Sequence, residues 1–233
     1  PELGHKLIPK LRYTDTGFAQ VEWDKMWKKV WLLGCREDDI PNPGDHYVTE
    51  IGNESILIVR QKNKTIKAFY NVCAHRGNRI VHALHEPQLE SSNFRCRYHS
   101  WEYGIDGKFT DIPDLETFPQ GAPDCGGLIS MPCDSWGSFV WFSMNKDVEP
   151  LRDYLGIIPN HLDPYHFDRM VLTRQVTVEW DCNWKASVDA FNESYHVQGI
   201  HPQLLYYLDL HEVFQLELYH LYQVDLYFHQ MLQ

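Results

Sequence analysis

Two short loops limit what this chain can fold into more than anything else in it: Cys73-Ala74-His75-Arg76-Gly77 and Cys96-Arg97-Tyr98-His99, with twenty residues between His75 and Cys96. Each supplies one thiol and one imidazole. Two thiolates and two imidazoles at such spacings can hold a zinc ion or a two-iron cluster. Zinc modules usually draw paired thiols from each loop, whereas one Cys and one His per loop suits an asymmetric cluster in which one iron takes both thiolates and the other both imidazoles. The plain alternative is two buried thiols and two surface histidines. Either metal reading needs the loops carried on the ends of strands, which directs the first half of the chain towards β structure.

The first half reads that way. An amphipathic helix is predicted from about Phe18 to Trp31, with Val21, Trp23, Met26, Trp27 and Val30 as candidate buried positions. Strands follow over Asp45–Ile51, Glu54–Gln61 and Thr65–Cys73, separated by Gly52-Asn53 and Lys62-Asn63-Lys64, which suggests a meander. Tyr103 to Lys108 reads as a hairpin with Asp106-Gly107 at its tip, and Trp136 to Met144 as a further strand. The sum is a small β-sandwich or barrel of roughly 110 residues. Beyond it the pattern changes. Pro150 to Leu162 reads as a short helix, Val171 to Trp180 alternates like a strand, and Lys185 to about Gln198 reads as a helix. A second, α+β domain therefore starts near residues 145 to 150.

Of 233 residues, 43% are apolar and 23% charged, enough to pack a core. The formal charge of −11 argues against nucleic-acid or anionic-membrane binding, since phosphate needs a basic footprint. Apolar runs such as Phe139 to Phe142 are far below the ~20 residues that cross a bilayer. The start carries no basic-then-apolar signal pattern, so a soluble cytoplasmic chain is expected. Its six cysteines are then reduced or metal-bound. Cys35, Cys125, Cys133 and Cys182 belong to no motif and read as small core residues. Gln203 to Gln233 uses only nine residue types, with no Gly, Pro, Asn, Ser, Thr, Ala, Lys or Arg. Such a run is improbable for a continuous native stretch.

A second constellation is Glu193-x-x-His196-x-x-x-x-His201. Residues three apart share a helix face, so Glu193 and His196 can point the same way. His201 lies about 140° further round an ideal helix. Pro202 disfavours helical geometry at His201 and Gly199 loosens the turn before it, so the helix ends or bulges there and lets both imidazoles converge. Two histidines and a carboxylate with open positions form the ligand set of non-haem Fe(II) oxygen activation. A polar helix end with exposed histidines is the alternative.

Cys73-Ala74-His75-Arg76-Gly77 with Cys96-Arg97-Tyr98-His99-Ser100-Trp101 resembles the Rieske domain of Rieske non-haem iron oxygenases. Asn183-Trp184-Lys185 leading to Tyr195-His196-Val197-Gln198-Gly199-Ile200-His201-Pro202 is similar to the catalytic-helix motif of their alpha subunits. The resemblance covers roughly residues 20 to 202. It implies an N-terminal helical segment over 1–30, an all-β Rieske [2Fe-2S] domain over 31–147, and an α+β, helix-grip-like catalytic domain over 148–233 that is truncated or discontinuous. It implies that Cys73 and Cys96 bind one cluster iron and His75 and His99 the other. Trp101 would pack over the cluster, and Gly77, Gly104 and Gly107 would let backbone approach it. His196 and His201 would bind a mononuclear Fe(II), and Glu193 would bridge electronically to a Rieske histidine of a neighbouring subunit. The family's third ligand is an Asp far beyond the second histidine. After His201 only Asp209, Asp225, Glu212 and Glu217 remain, none in a recognisable motif, so that ligand is unassigned.

The implied activity is that of a terminal oxygenase, a homotrimer that takes electrons originating in NAD(P)H from a reductase or ferredoxin and uses O2 to hydroxylate a small organic substrate. An aromatic ring is the expected substrate, on how common that is in the family. Glu at position 193 resembles the choline, carnitine and glycine-betaine branch, which makes demethylation or C–N cleavage of a quaternary ammonium compound the enzymatic alternative. A Rieske electron carrier with an appended domain, or a structural zinc module, would be of another class.

Overall fold

In the computed structural model residues 7–192 and 195–206 are described. They fall into two compact units, one formed by Trp27–Leu172 and the other by residues up to Met26 together with those from Thr173 onward.

The centre of the first unit is dictated by Ile56-Leu57-Ile58-Val59, four consecutive apolar residues that are all fully buried. A run of that kind needs cover on both faces of its strand. Glu54–Arg60 (β3) lies between His46–Ile51 (β2) and Ile66–Tyr70 (β4), and a short Ser130–Met131 (β8) extends the antiparallel sheet in the order β2-β3-β4-β8. Leu57 and Val59, with Val48 and Phe69, face a core that also contains Cys73, Cys96, Trp101 and Tyr103. Ile56, Ile58 and Ala68 face the opposite core with Leu32, Cys35, Val140 and Phe142. The first core is closed by Asn93–Arg95 (β5), Glu102–Gly104 (β6) and Phe109–Asp111 (β7), paired in that order. The second is closed by Leu32–Arg36 (β1), Cys133–Trp136 (β9) and Phe139–Phe142 (β10), with β10 in the middle.

The predicted meander and the Asp106-Gly107 hairpin are present. At the hairpin tip Gly107 has φ +86°, and the Phe69 ring occupies the place its Cβ would take. The close approach at Gly107 is therefore to a core ring rather than to the metal loops. The single strand expected over Trp136 to Met144 is instead the end of one strand and the whole of the next. Gly137 and Ser138 both have positive φ (61° and 65°), the geometry of a tight hairpin turn. A serine there hides the turn from the sequence. Helices Leu151–Leu155 (α3) and Ile158–Leu162 (α4) follow; Leu151 and Leu155 pack on Trp31, whose indole donates to the Glu149 carbonyl at 2.8 Å.

In the other unit, Leu11–Thr14 (α1) precedes Thr16–Glu22 (α2), capped by the Asp15 carboxylate accepting from the Phe18 amide at 2.7 Å. The helix then widens to a π turn over Trp23–Trp27. Val21 is exposed and Glu22 buried, the reverse of the amphipathic prediction. Glu22 goes inside because it has a buried cation to pair with. Trp184–Phe191 (α5) is capped by Asn183 and ends earlier than expected; a separate turn, Val197–Ile200 (α6), follows. Val171 to Trp180 is not a strand: no neighbour among the described residues offers it a ladder, and Val171, Val176, Val178 and Trp180 are exposed. Alternation alone cannot make a strand without backbone partners. Cys125 and Cys182 are exposed, contrary to the core reading. Cys35 is buried and Cys133 half-buried, and burial pushes the Cys133 thiol up to about 12.

Candidate functional site

The two cysteine loops repeat one backbone design. In the first, the Cys73 amide donates to the Asn78 carbonyl at 2.8 Å and the Gly77 amide donates back to the Cys73 carbonyl at 2.9 Å. In the second, the Cys96 amide donates to the Trp101 carbonyl at 2.9 Å and the Ser100 amide to the Cys96 carbonyl at 3.0 Å. Gly77 and Ser100 take matching positive φ values of 69° and 60°, the bend that closes each loop. Glycine meets that need without cost, and Ser100 adopts it despite a Cβ. The strand β4 leads into the first loop, and the second joins β5 to β6.

These loops bring the four candidate ligands together as a sulfur pair and an imidazole pair. Cys73 and Cys96 are buried. The Tyr103 hydroxyl accepts from the Ala74 amide at 3.0 Å and lies 3.0 Å from Cys73 Sγ, so its own proton is free to go to that sulfur. The Asn78 amide reaches Cys96 Sγ at 3.7 Å. Burial works to raise the Cys96 thiol, but the backbone N–H groups of Tyr98 and His99, with Cys73 and Asn78, outweigh it and hold its pKa below the ordinary value. Burial and the Cys73 sulfur push the Tyr103 phenol the other way, well above its usual range. The site is thus built to carry negative charge on sulfur.

The imidazole side is wetter. His75 and His99 lie with ring centroids 4.6 Å apart, His99 exposed and His75 half-buried. The Trp101 indole stacks on His75 at 4.7 Å and 7°, while Tyr98 covers His99 at 3.9 Å. Burial, then the neighbouring His99 and Arg76, lower the His75 pKa, which favours the neutral form that a metal needs. Its buried Nδ1 has no hydrogen-bond partner among the described residues. A buried orphan nitrogen beside a second imidazole, opposite two sulfurs supplied with donors, fits a two-iron, two-sulfide cluster held by both pairs.

His196 and His201 flank α6. The His201 amide still donates to the Val197 carbonyl at 2.9 Å, but its backbone leaves the helical region at φ −125°, ψ 51°, and a 3-10 turn begins at Pro202. That departure brings the two half-buried rings to 5.6 Å between centroids, inclined at 77°. The expected helix break and the convergence of the rings are both present. Glu193 lies outside the described residues, as do Asp209, Glu212, Glu217 and Asp225. Sequence reasoning missed Tyr103 and Asn78: a tyrosine two residues after Trp101 on an alternating strand and an asparagine after Gly77 carry no signal beyond ordinary core and turn usage.

Residues 30–124 match the Rieske [2Fe-2S] domain, and residues 167–226 match the catalytic domain of the ring-hydroxylating alpha subunit. The glycine betaine monooxygenase oxygenase subunit of Chromohalobacter salexigens is 29% identical over 204 residues, 87% of this chain and 44% of that protein. The carnitine monooxygenase oxygenase subunit of Escherichia coli K12 is 30% identical over 199 residues, 84% and 52%. Biphenyl 2,3-dioxygenase subunit alpha of Rhodococcus jostii is 29% identical over 198 residues, 82% and 42%. Among solved structures, a quaternary ammonium Rieske monooxygenase in complex with L-carnitine shares the fold at TM-score 0.79 and 23% identity, covering 86% of this chain and 57% of that one. Naphthalene 1,2-dioxygenase from Rhodococcus sp. bound to indole gives 0.74 and 26%, covering 85% and 46%. The chain spans about half the length of the curated relatives it matches.

Proposed function

From the premise that this chain belongs to the Rieske oxygenase alpha-subunit family, we propose that it forms part of a terminal oxygenase. The cofactors of that family are a Rieske [2Fe-2S] cluster and a non-haem iron; when bound, the first stores an electron and the second activates dioxygen. In this reading Cys73 and Cys96, both buried, would hold one iron, and half-buried His75 with exposed His99 the other. Tyr103, Asn78 and the loop amides stabilise the charge that arrives with the electron. Exposed His99 and half-buried His75 are the way out. His196 and His201 hold the mononuclear iron, and Glu193 couples His196 to a Rieske histidine of the adjoining subunit in a homotrimer. In this reading the electron-storing function is assigned to residues 31–147 and the catalytic function to 148–233, after an N-terminal segment over 1–30. The partners are a cytoplasmic reductase or ferredoxin drawing on NAD(P)H, O2 and a small organic molecule. For a hydroxylation, O2, two electrons, two protons and R–H give R–OH and water.

The observation that carries this reading is the pairing of thiols and imidazoles at the loop tips, with donors aimed at the sulfurs. For substrate we take the quaternary ammonium class first, because an acid of the Glu type stands at 193 and two of the relatives above are oxygenase subunits for glycine betaine and carnitine. Ring hydroxylation is the second reading, favoured by the biphenyl and naphthalene dioxygenases. The test is oxygen uptake by the full-length protein with reduced partner over a panel of betaines, carnitine and aromatic compounds, with product analysis. Iron content separates an oxygenase from a carrier: about three Fe per chain against about two. Uptake with neither class, at two iron atoms, would leave an electron carrier. Glu193→Gln is expected to abolish turnover with both metals retained; wild-type turnover in that variant removes the bridge.

A further inference from the structure

The helix that leads to His196 and His201 is gripped at its other end by an ammonium group almost shut off from water. Lys185 Nζ donates to both oxygens of Glu22, at 2.7 and 2.9 Å, and the two side chains are 14% and 9% exposed. The ring centroids of Trp184, Tyr13 and Phe18 lie 5.1, 5.5 and 5.5 Å from the same nitrogen. The ammonium thus sits in a three-ring cage closed by a carboxylate. One turn further along the same face of α5, Asp189 accepts from the Tyr13 hydroxyl at 2.7 Å. At the helix start, the Asn183 amide donates to the Tyr13 carbonyl at 3.1 Å.

A buried ion pair is a poor source of net stability, because desolvating both charges offsets their attraction. What it supplies is register. Apolar residues at 22 and 185 would hold α5 against α2 equally well and leave it free to turn or slide. A charge whose every neighbour is fixed permits one arrangement. Any effect of the cage on the candidate metal ligands runs through the placement of α5.

We infer that Glu22 is a positioning residue for the mononuclear metal site: by fixing Lys185 in its cage it sets the rotation of α5, the helix that precedes the separate turn flanked by His196 and His201. This rests on the reading of those histidines as iron ligands. The test uses the full-length, iron-loaded protein, with Fe and acid-labile sulfide counted per chain, Fe(II) release timed into a chromophoric chelator, and the cluster followed by its visible spectrum. Glu22→Gln keeps the side chain's shape and removes its charge. It is expected to release Fe(II) roughly tenfold faster or more, the range in which outer residues act on metal affinity, with sulfide and cluster spectrum unchanged. Lys185→Met, which keeps the length of the stem and removes the cation, is expected to release Fe(II) as fast as Glu22→Gln. Release at the wild-type rate from Glu22→Gln overturns the inference. So does loss of sulfide together with iron, which marks general loosening, or a Lys185→Met variant that holds Fe(II) like the wild type. His196→Ala separates the two levels. If it keeps the third iron, the ligand assignment fails; if it sheds that iron while Glu22→Gln does not, only the positioning role fails.

Discussion

One phenol governs how much charge Cys73 can carry. Tyr103 is fully buried, its oxygen is already engaged by the Ala74 amide, and its proton faces the sulfur. Reduction places an extra electron on the cluster, so a hydrogen bond to a ligand sulfur favours the reduced form. Tyr103→Phe is expected to lower the cluster potential by about 40 mV, taking ~1 kcal/mol as the differential worth of one such bond, with iron and sulfide still bound; a redox titration followed by visible absorption measures it. The ligands themselves were legible because thiols and imidazoles at fixed spacing have few other uses. Tyr103, Asn78, Glu22 and Lys185 were not, since each is an ordinary residue whose role comes from what the fold sets beside it. Val21 fitted an apolar stripe and Glu22 did not, yet the burial is reversed, because a π turn and a distant lysine lie beyond any local window.

At the level of elements, local signals succeeded where chain neighbours pair with each other. Gly52-Asn53 and Asp106-Gly107 announce their hairpins, and strand β3 advertises cover on both faces by its unbroken apolar run. They failed where the deciding partner is remote or the turn residue unusual. Ser138 disguises the β9–β10 turn, and Val171 to Trp180 has strand composition without a described strand beside it. The tip at Gly107 carries a prediction of its own. Gly107→Ala puts a methyl group into the Phe69 ring and an L residue at φ +86°. The conformational and overpacking costs are each ~1–3 kcal/mol. Thermal unfolding of the variant is expected several degrees below wild type, with the loss visible in near-ultraviolet circular dichroism; an unchanged transition would mean the Phe69 ring has room to move.

For the molecule as a whole, pH enters through His46. It is buried, its Nδ1 lies 3.2 Å from the Gly44 carbonyl, and its ring meets Phe94 edge-on at 5.0 Å. Burial lowers its pKa below the ordinary value, against the opposing pull of the Gly44 carbonyl and Asp45. The unfolded chain takes up this proton near pH 6.5 and the folded one only at lower pH, so between those two points the unfolded state binds more protons. Stability from His46 is complete above about pH 6.5 and is lost as the pH falls towards the folded value. Melting temperatures measured from about pH 8 to 5.5 should fall at the acid end, and His46→Gln should flatten that slope. The order of the chain through its two units has a consequence for assembly. Residues up to Met26 and from Thr173 onward share one unit, while Trp27–Leu172 builds the other. The loop-bearing unit is, topologically, a passenger spliced into its host. During synthesis Glu22 must wait for 163 further residues before Lys185 arrives, and a graft cut at positions 27 and 172 would exchange the whole loop-bearing unit without breaking a strand.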